Sequence, residues 1–110
     1  MDKVVLYSFK NDDIKVIIEA YFDEFGNLIV EGYDIGKTVE EFFGDSDYEY
    51  SSTVPSAEVE KLYALLGIPS GAKNILLNYL QSHFNTNSCY SELRDFLEKN
   101  NIKHEGFSWM

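Results

Sequence analysis

The alternation of apolar and polar residues from Asp13 to Phe22 restricts the fold more than any other feature of this sequence. Every second residue of the segment is apolar. This is the pattern of a β-strand that packs one face on a core. The apolar side carries Ile14, Val16, Ile18, Ala20 and Phe22, and the other side carries Lys15, Ile17, Glu19 and Tyr21. Because the second side is mixed rather than polar, we expect part of it to be covered.

Strands are predicted on both sides of this segment. Lys3 to Lys10 is rich in β-branched and aromatic residues, and residues 11–13 have the chemistry of a tight turn. Residues 23–27 form a hairpin loop in which Gly26 can take a left-handed conformation, and Leu28 to Tyr33 returns as a third strand. The first third of the chain is therefore predicted to be an antiparallel meander.

A short helix and a fourth strand are predicted next. Thr38 and Glu41 fit a capping box, in which each side chain satisfies a backbone donor at a helix start. Gly44 is placed to end that helix after barely two turns. Tyr48 to Val54 then has the composition of a strand.

The second half of the chain predicts three helices and a last strand. Ser56 is expected to cap the first helix, Gly67 to end it, and Asn101 to help end the third helix. Ile102 to Met110 is predicted as the last strand. Its aromatic residues expected to pack inward are Phe107 and Trp109. The apolar stripe of the second helix is Ala72, Ile75, Leu76, Tyr79, Leu80, His83 and Phe84.

The resulting order is β-β-β-(short α)-β-α-α-α-β. Strands grouped before helices indicate an α+β fold, here an antiparallel sheet of four to five strands with helices on one face. The 110 residues are enough for one domain, residues 1–110, and too few for two. The place of the last strand in the sheet stays open.

Negative charge is concentrated in one part of the chain. From Glu19 to Glu60 there are twelve acidic residues and a single basic one, Lys37, in a chain of net charge −10. Binding to nucleic acid needs clustered lysine and arginine, so this distribution argues against it. It favours a basic protein partner, although solubility alone also explains an acidic surface.

Membrane insertion and a disulfide scaffold are not expected either. No apolar run approaches the roughly 20 residues that span a bilayer, and the charged start is no signal peptide. A single cysteine, Cys89, forms no intrachain disulfide. We therefore expect a cytoplasmic protein.

The acidic turn was considered as a calcium site. Asp45, Asp47 and Glu49 have the spacing that opens a calcium loop, but such a loop needs glycine at the sixth position and glutamate at the twelfth. Tyr50 and Ser56 occupy these positions. We therefore predict no metal site here. We expect Asp45 and Asp47 to be turn residues whose side chains bond their own backbone. A weak cation site is the alternative.

Catalytic motifs are missing from the sequence. His83 and His104, the only histidines, have no cysteine or histidine at metal-ligand spacing. Gly67 to Lys73 lacks the Gly-Lys-Ser/Thr sequence of a phosphate-binding loop. Cys89 has no charged residue nearer in sequence than Glu92, so no reactive thiolate is predicted. We therefore predict no enzyme and no cofactor. The alternative is a small enzyme or ligand-binding domain that uses carboxylates near His104 in a cleft.

The sequence feature that does indicate a function is a group of tyrosines interleaved with carboxylates. Tyrosine buries a large area at low entropic cost and keeps a polar tip, so it often anchors interfaces. We predict a partner-binding surface formed by Tyr33, Asp34, Asp45, Asp47, Tyr48, Glu49 and Tyr50. The alternative for Tyr48 and Tyr50 is that they half-bury against the helices, because one strand face normally packs inward.

Several stretches resemble a family of small, uncharacterised bacterial proteins. They are Gly32-Tyr-Asp-Ile-Gly36, Val39-Glu-Glu-Phe-Phe-Gly-Asp-Ser-Asp-Tyr-Glu-Tyr50, Ser91-Glu-Leu93 with Phe96-Leu-Glu98, and Gly106 with Ser108-Trp109. The resemblance covers most of the chain and implies no activity. By analogy with other small acidic proteins, it is compatible with an immunity protein that covers the basic active site of a toxin.

Overall fold

The computed structural model describes residues 3–36 and 47–109, with the backbone alone for Asp47 and residues 107–109. Within these ranges five strands form one antiparallel sheet, in chain order. The strands are β1 (Lys3–Lys10), β2 (Ile14–Phe22), β3 (Leu28–Gly36), β4 (Asp47–Val54) and β5 (Glu105–Trp109). The helices of the same ranges are α1 (Ser56–Leu66), α2 (Lys73–His83) and α3 (Cys89–Lys99). The predicted α+β fold, with helices on one face of an antiparallel sheet, is confirmed.

The register divides the sheet into two faces. Residues directly opposite each other on neighbouring strands share a face. On the helix side, which packs against α1–α3, Ile18 pairs with Gly32 and Gly32 with Tyr50. On the other side, which we call the open face, Ile17 pairs with Tyr33 and Tyr33 with Glu49. The alternation predicted for β2 is therefore confirmed, with Ile18 at 1% exposure on the helix side.

The core lies between the helix side and the three helices. The strands contribute buried β-branched and aliphatic residues, and each helix contributes a stripe of buried residues at helical spacing. The strand residues are Leu6, Ile18, Ala20, Phe22, Leu28, Val30 and Val54. The helix residues are Val59, Leu62, Tyr63, Leu76, Leu77, Leu80, Cys89, Leu93 and Leu97.

The start of α1 differs from the prediction. Ser56 is the first helical residue rather than the cap. Pro55 occupies the capping position, and no side-chain hydrogen bond caps the helix there. The backbone N–H of Ser56 donates instead to Asn27 Oδ1, at 2.9 Å. The hairpin between β2 and β3 thus satisfies one of the donors that a helix start leaves unpaired. A partner 29 residues away cannot be recognised by local capping rules.

Other helix details are mixed. The predicted helix ends at Gly67 and Asn101 are confirmed, since both adopt positive φ, 68° and 57°. The stripe of α2 is wrong at Ile75, which is 53% exposed, and at His83, which is also exposed, whereas Leu77 is buried. The short helix predicted for residues 38–44 lies outside the described residues.

The last strand resolves the open question of topology and corrects one expectation. β5 begins at Glu105 and pairs with β4, so it forms the sheet edge opposite β1. Gly106 faces Arg94 of α3, which places it on the helix side. The positions of Phe107 and Trp109, paired with Ser51 and Glu49, therefore belong to the open face and not to the inner layer.

Candidate functional site

The predicted partner surface is divided between the two faces. Tyr33 and Glu49 lie opposite each other on the open face. Asp34, Tyr48 and Tyr50 lie on the helix side, where Asp34 pairs with Tyr48 and β3 continues three residues beyond its predicted end. Asp45 lies outside the described residues, and of Asp47 only the backbone, the first residue of β4, is described.

Tyr50 is held in place by its neighbours. Its ring occupies the space above Gly32, where the Cβ of any other residue would overlap it. The ring meets the ring of Tyr90 edge-on, at 4.6 Å between centroids, and lies 5.5 Å from that of Tyr48. Both β4 tyrosines are half-buried. They therefore match the alternative in which they pack against the helices.

Two hydrogen bonds continue this cluster. The Tyr50 hydroxyl donates to Asp34 Oδ1 at 3.2 Å, and the hydroxyls of Ser52 and Tyr90 are 3.1 Å apart. Burial raises the pKa of the Asp34 carboxyl, and the hydrogen bond from Tyr50 offsets this only in part. Burial and the adjacent Asp34 charge raise the pKa of the Tyr50 hydroxyl, which therefore stays protonated and can donate.

A cleft of about 520 Å³ opens beside these tyrosines. It lies between β4, β5 and the first turns of α3, and we call it the tyrosine cleft. Its lining consists of Tyr48, Tyr50, Asn87, Tyr90, Ser91, Arg94 and Gly106. The guanidinium carbon of Arg94 lies 5.7 Å from the centre of the Tyr90 ring, within the range of a cation–π contact.

The predicted alternative site near His104 contains one close histidine–carboxylate pair. His104 Nε2 lies 3.5 Å from Glu98 Oε1, and its side chain is only 7% exposed. The adjoining cleft is lined by Pro55, Arg94, Glu98, Ile102, Lys103, His104, Glu105 and Gly106. This lining offers no hydroxyl or thiol side chain, so it contains no nucleophile of the serine or cysteine type.

Cys89 is likewise not suited to act as a nucleophile. The side chain is fully buried at the start of α3, and burial raises the pKa of its thiol to about 11. A thiol with such a pKa is protonated at neutral pH and is unreactive. The expectation that no reactive thiolate is present therefore agrees with the structure.

Three carboxylates lie on three neighbouring strands at the centre of the open face. Glu19 of β2 lies directly opposite Glu31 of β3, and Glu49 of β4 lies opposite Tyr33. Together they line a hollow of about 530 Å³. Its lining consists of Ile17, Glu19, Glu31, Gly32, Tyr33, Glu49, Tyr50 and Ser51.

The pairing of Glu19 with Glu31 works against the stability of the sheet. Like charges directly opposite each other on adjacent strands repel. Two contacts reduce this repulsion: Lys3 Nζ lies 3.6 Å from Glu19 Oε1, and the Tyr21 hydroxyl donates to Glu31 Oε2 at 3.3 Å. Glu49 has no such compensation from the described part of the chain. The open face thus concentrates negative charge at its centre.

Neither a metal cluster nor a membrane span is found among residues 3–36 and 47–109. These ranges contain no group of three or more His, Cys, Asp or Glu side chains that could hold a metal ion. They also contain no helix that is long and apolar enough to cross a bilayer.

Comparison with family models, curated proteins and solved structures finds no match to this chain. The resemblance to the small bacterial proteins therefore stays a prediction.

Sequence reasoning missed most of the residues that line the two sites. On the open face the signal was present, because Ile17 and Glu19 are the mixed side of the alternating β2 pattern. In the tyrosine cleft the signal was the spacing of Tyr90 and Arg94, since residues four apart meet on a helix surface. Both signals become informative only once the position of β5 and the side covered by the helices are known.

Proposed function

We propose that the protein binds a basic protein partner through the open face of its sheet. The observation that carries this proposal is the group of carboxylates Glu19, Glu31 and Glu49, set around Ile17 and Tyr33 on the face opposite the helices. An inhibitor of the immunity-protein type, which covers a basic active site, belongs to this class of function.

The charges and the apolar residues have different roles in this proposal. Exposed carboxylates give weak contacts that salt screens, so they mainly steer a basic partner toward the face. Affinity has to come from side chains that lose water at the centre of the contact. Tyr33 and Ile17, neighbours in the register, are the described residues suited to that role.

The repulsion between Glu19 and Glu31 supports the same interpretation. A structural role would favour an oppositely charged or apolar pair at these positions. A basic side chain from a partner, placed between the two carboxylates, would convert this repulsion into two attractive contacts. Solubility alone would not require the carboxylates to be adjacent on the only broad sheet face left uncovered by described helices.

The proposal is tested by site-specific photo-crosslinking in cells. The photoreactive amino acid p-benzoylphenylalanine replaces Tyr33 in one variant and Ile75, an exposed residue of α2, in the control. We expect a discrete crosslinked product from position 33, containing a protein with a basic isoelectric point, and none from position 75.

Charge variants show whether the crosslink depends on the open face. Glu31→Gln with Glu49→Gln should abolish the product from position 33. Glu24→Gln with Asp95→Asn makes the same change in net charge at exposed positions elsewhere and should leave it intact. Equal products from positions 33 and 75, an acidic crosslinked protein, or equal loss in both double variants would contradict the proposal.

A further inference from the structure

Arg94 is the single arginine of this acidic chain, and its guanidinium forms no ion pair within the described structure. Its Nε atom is buried without a hydrogen-bond partner. Leaving a buried donor unsatisfied carries a desolvation cost, and the cost is higher when the group is charged. An anionic group of a ligand would satisfy both the charge and the unpaired donor.

The surroundings of Arg94 form a site rather than a chance exposure. The guanidinium lies over Tyr90, four residues earlier on α3, on the side where Gly106 of β5 lacks a side chain. A Cβ at position 106 would lie 3.5 Å from Arg94 Nη2, so any side chain there would contact the guanidinium. Arg94 thus lies between α3 and β5 and lines the tyrosine cleft.

The walls of the cleft define the shape of the ligand. Three tyrosine rings and the hydroxyl and amide groups of Ser91 and Asn87 surround a volume of about 520 Å³. Small-molecule sites in proteins have volumes of roughly 300–1,000 Å³ and combine aromatic walls with a few polar groups. A small molecule with a planar ring fits this combination.

Charge narrows the class of ligand further. The planar fork of arginine matches carboxylate and phosphate groups, to which it donates two parallel hydrogen bonds. The chain has a net charge of −10, so its field repels a doubly charged phosphate more strongly than a singly charged carboxylate. We infer that the tyrosine cleft binds a small aromatic carboxylate, whose carboxylate pairs with Arg94.

The charged groups of this site are separate from those of the proposed partner surface, although Tyr50 lines both hollows. The tyrosine cleft lies on the helix side of the sheet, and the carboxylates Glu19, Glu31 and Glu49 lie on the open face. Loss of one activity is therefore not expected to remove the other.

The inference is tested by NMR titration of the full chain with three probes. Benzoate carries the ring and the carboxylate, benzamide has the same shape without the charge, and inorganic phosphate carries charge without a ring. We expect benzoate to shift the amide signals of Ser91 and Gly106 saturably. Benzamide should bind about tenfold more weakly or not at all, because it cannot form the charge-assisted pair. Phosphate should also bind more weakly than benzoate.

Substitutions assign the effect to the guanidinium. Arg94→Gln should weaken benzoate binding about tenfold or more, and Arg94→Lys, which keeps the charge but loses the fork, should give an intermediate value. The matched control is Lys99→Gln, which removes one positive charge from the same helix outside the cleft and should bind as the wild type does. If Arg94→Gln does not fold, Arg94→Lys and the benzoate–benzamide comparison decide the question.

Three results would overturn the inference. Equal binding of benzoate and benzamide would show that charge is not recognised. Wild-type affinity in the Arg94 variants would show that the guanidinium is not the binding group. Tighter binding of phosphate than of benzoate would contradict the assignment to a carboxylate.

Discussion

Replacing Gly32 with alanine tests the packing that places Tyr50 on the helix side. Gly32 is buried in β3, directly opposite Tyr50, and its missing side chain provides the space for the tyrosine ring. A Cβ there would overlap the ring, so the ring has to move. The same ring also contacts Tyr90 and donates to Asp34, and it cannot move without disturbing both contacts.

The expected cost follows from these contacts. Inserting a methyl group into a packed region typically costs about 1–3 kcal/mol. Displacing the ring adds the loss of a hydrogen bond, about 0.5–1.5 kcal/mol, whereas alanine in a strand gains about 0.5–1 kcal/mol over glycine. These two terms nearly cancel. We therefore expect Gly32→Ala to lower the free energy of unfolding by about 1–3 kcal/mol, measured by urea denaturation followed by circular dichroism.

A double-mutant cycle identifies the source of that cost. In a Tyr50→Ala background the ring is gone, so Gly32→Ala should become neutral or slightly stabilising. Gly106→Ala is the matched control, because the nearest atom to its Cβ would be Arg94 Nη2 at 3.5 Å, an ordinary contact. Because alanine is favoured over glycine in a strand, this control should leave the free energy of unfolding unchanged or raise it by up to about 1 kcal/mol. If Gly32→Ala costs as much without the Tyr50 ring as with it, the packing argument is refuted.

Three further predictions concern stability. Ile102 lies just before β5 and is 3% exposed, so Ile102→Ala should lower the free energy of unfolding by about 2–5 kcal/mol. Ile75→Ala, on the exposed surface of α2, should change it by no more than about 0.5 kcal/mol. The backbone N–H of Lys103 donates to Glu58 at 2.8 Å and lowers the pKa of that carboxyl below its ordinary 4.5. The stabilisation by Glu58 is therefore present above pH 4.5 and is lost as the pH falls through the folded-state pKa, so the advantage of the wild type over Glu58→Gln should vanish in acid. Burial raises the pKa of Asp34 above its ordinary 3.8. The contribution of Asp34 to the free energy of unfolding is therefore fully present below pH 3.8 and is lost as the pH rises through the folded-state pKa. The stability of Asp34→Asn should accordingly rise relative to that of the wild type toward neutral pH.

Denaturant midpoints across a pH series check the last two predictions together. Glu58→Gln and Asp34→Asn each remove one carboxylate, but the stability difference from the wild type should follow opposite directions with pH. Parallel curves for the two variants would contradict the assigned pKa shifts. Equal costs for the two isoleucine substitutions would contradict the placement of Ile102 in the core.

The sequence predicts elements where a local pattern decides the structure. The alternation in β2 determines which side packs inward, and Gly67 ends α1 because glycine adopts positive φ without steric cost. Prediction failed where distant residues decide. Asn27 binds the first N–H of α1 from another part of the chain, and β5 takes its place beside β4 only after three helices.

The candidate site was harder to predict for a related reason. Tyr33 and Tyr50 belong to the same acidic stretch of sequence, but a strand sends alternate residues to opposite faces, and the register then sets which residues they meet. Tyr50 faces Gly32 and the helix layer, whereas Tyr33 faces outward beside Glu49. Composition marked the segment that carries both tyrosines, and only the sheet register separated its two surfaces.

The most direct test of the open face as a partner-binding surface is an association rate constant. It is measured by stopped flow, at several salt concentrations, for the free partner protein that photo-crosslinking identifies. We expect fast association that slows as salt rises, because screening weakens electrostatic steering. Glu31→Gln with Glu49→Gln should associate more slowly at low salt and depend less on salt, whereas Glu24→Gln with Asp95→Asn should behave nearly as the wild type. Association of the open-face double variant at the wild-type rate in low salt would contradict the proposed function.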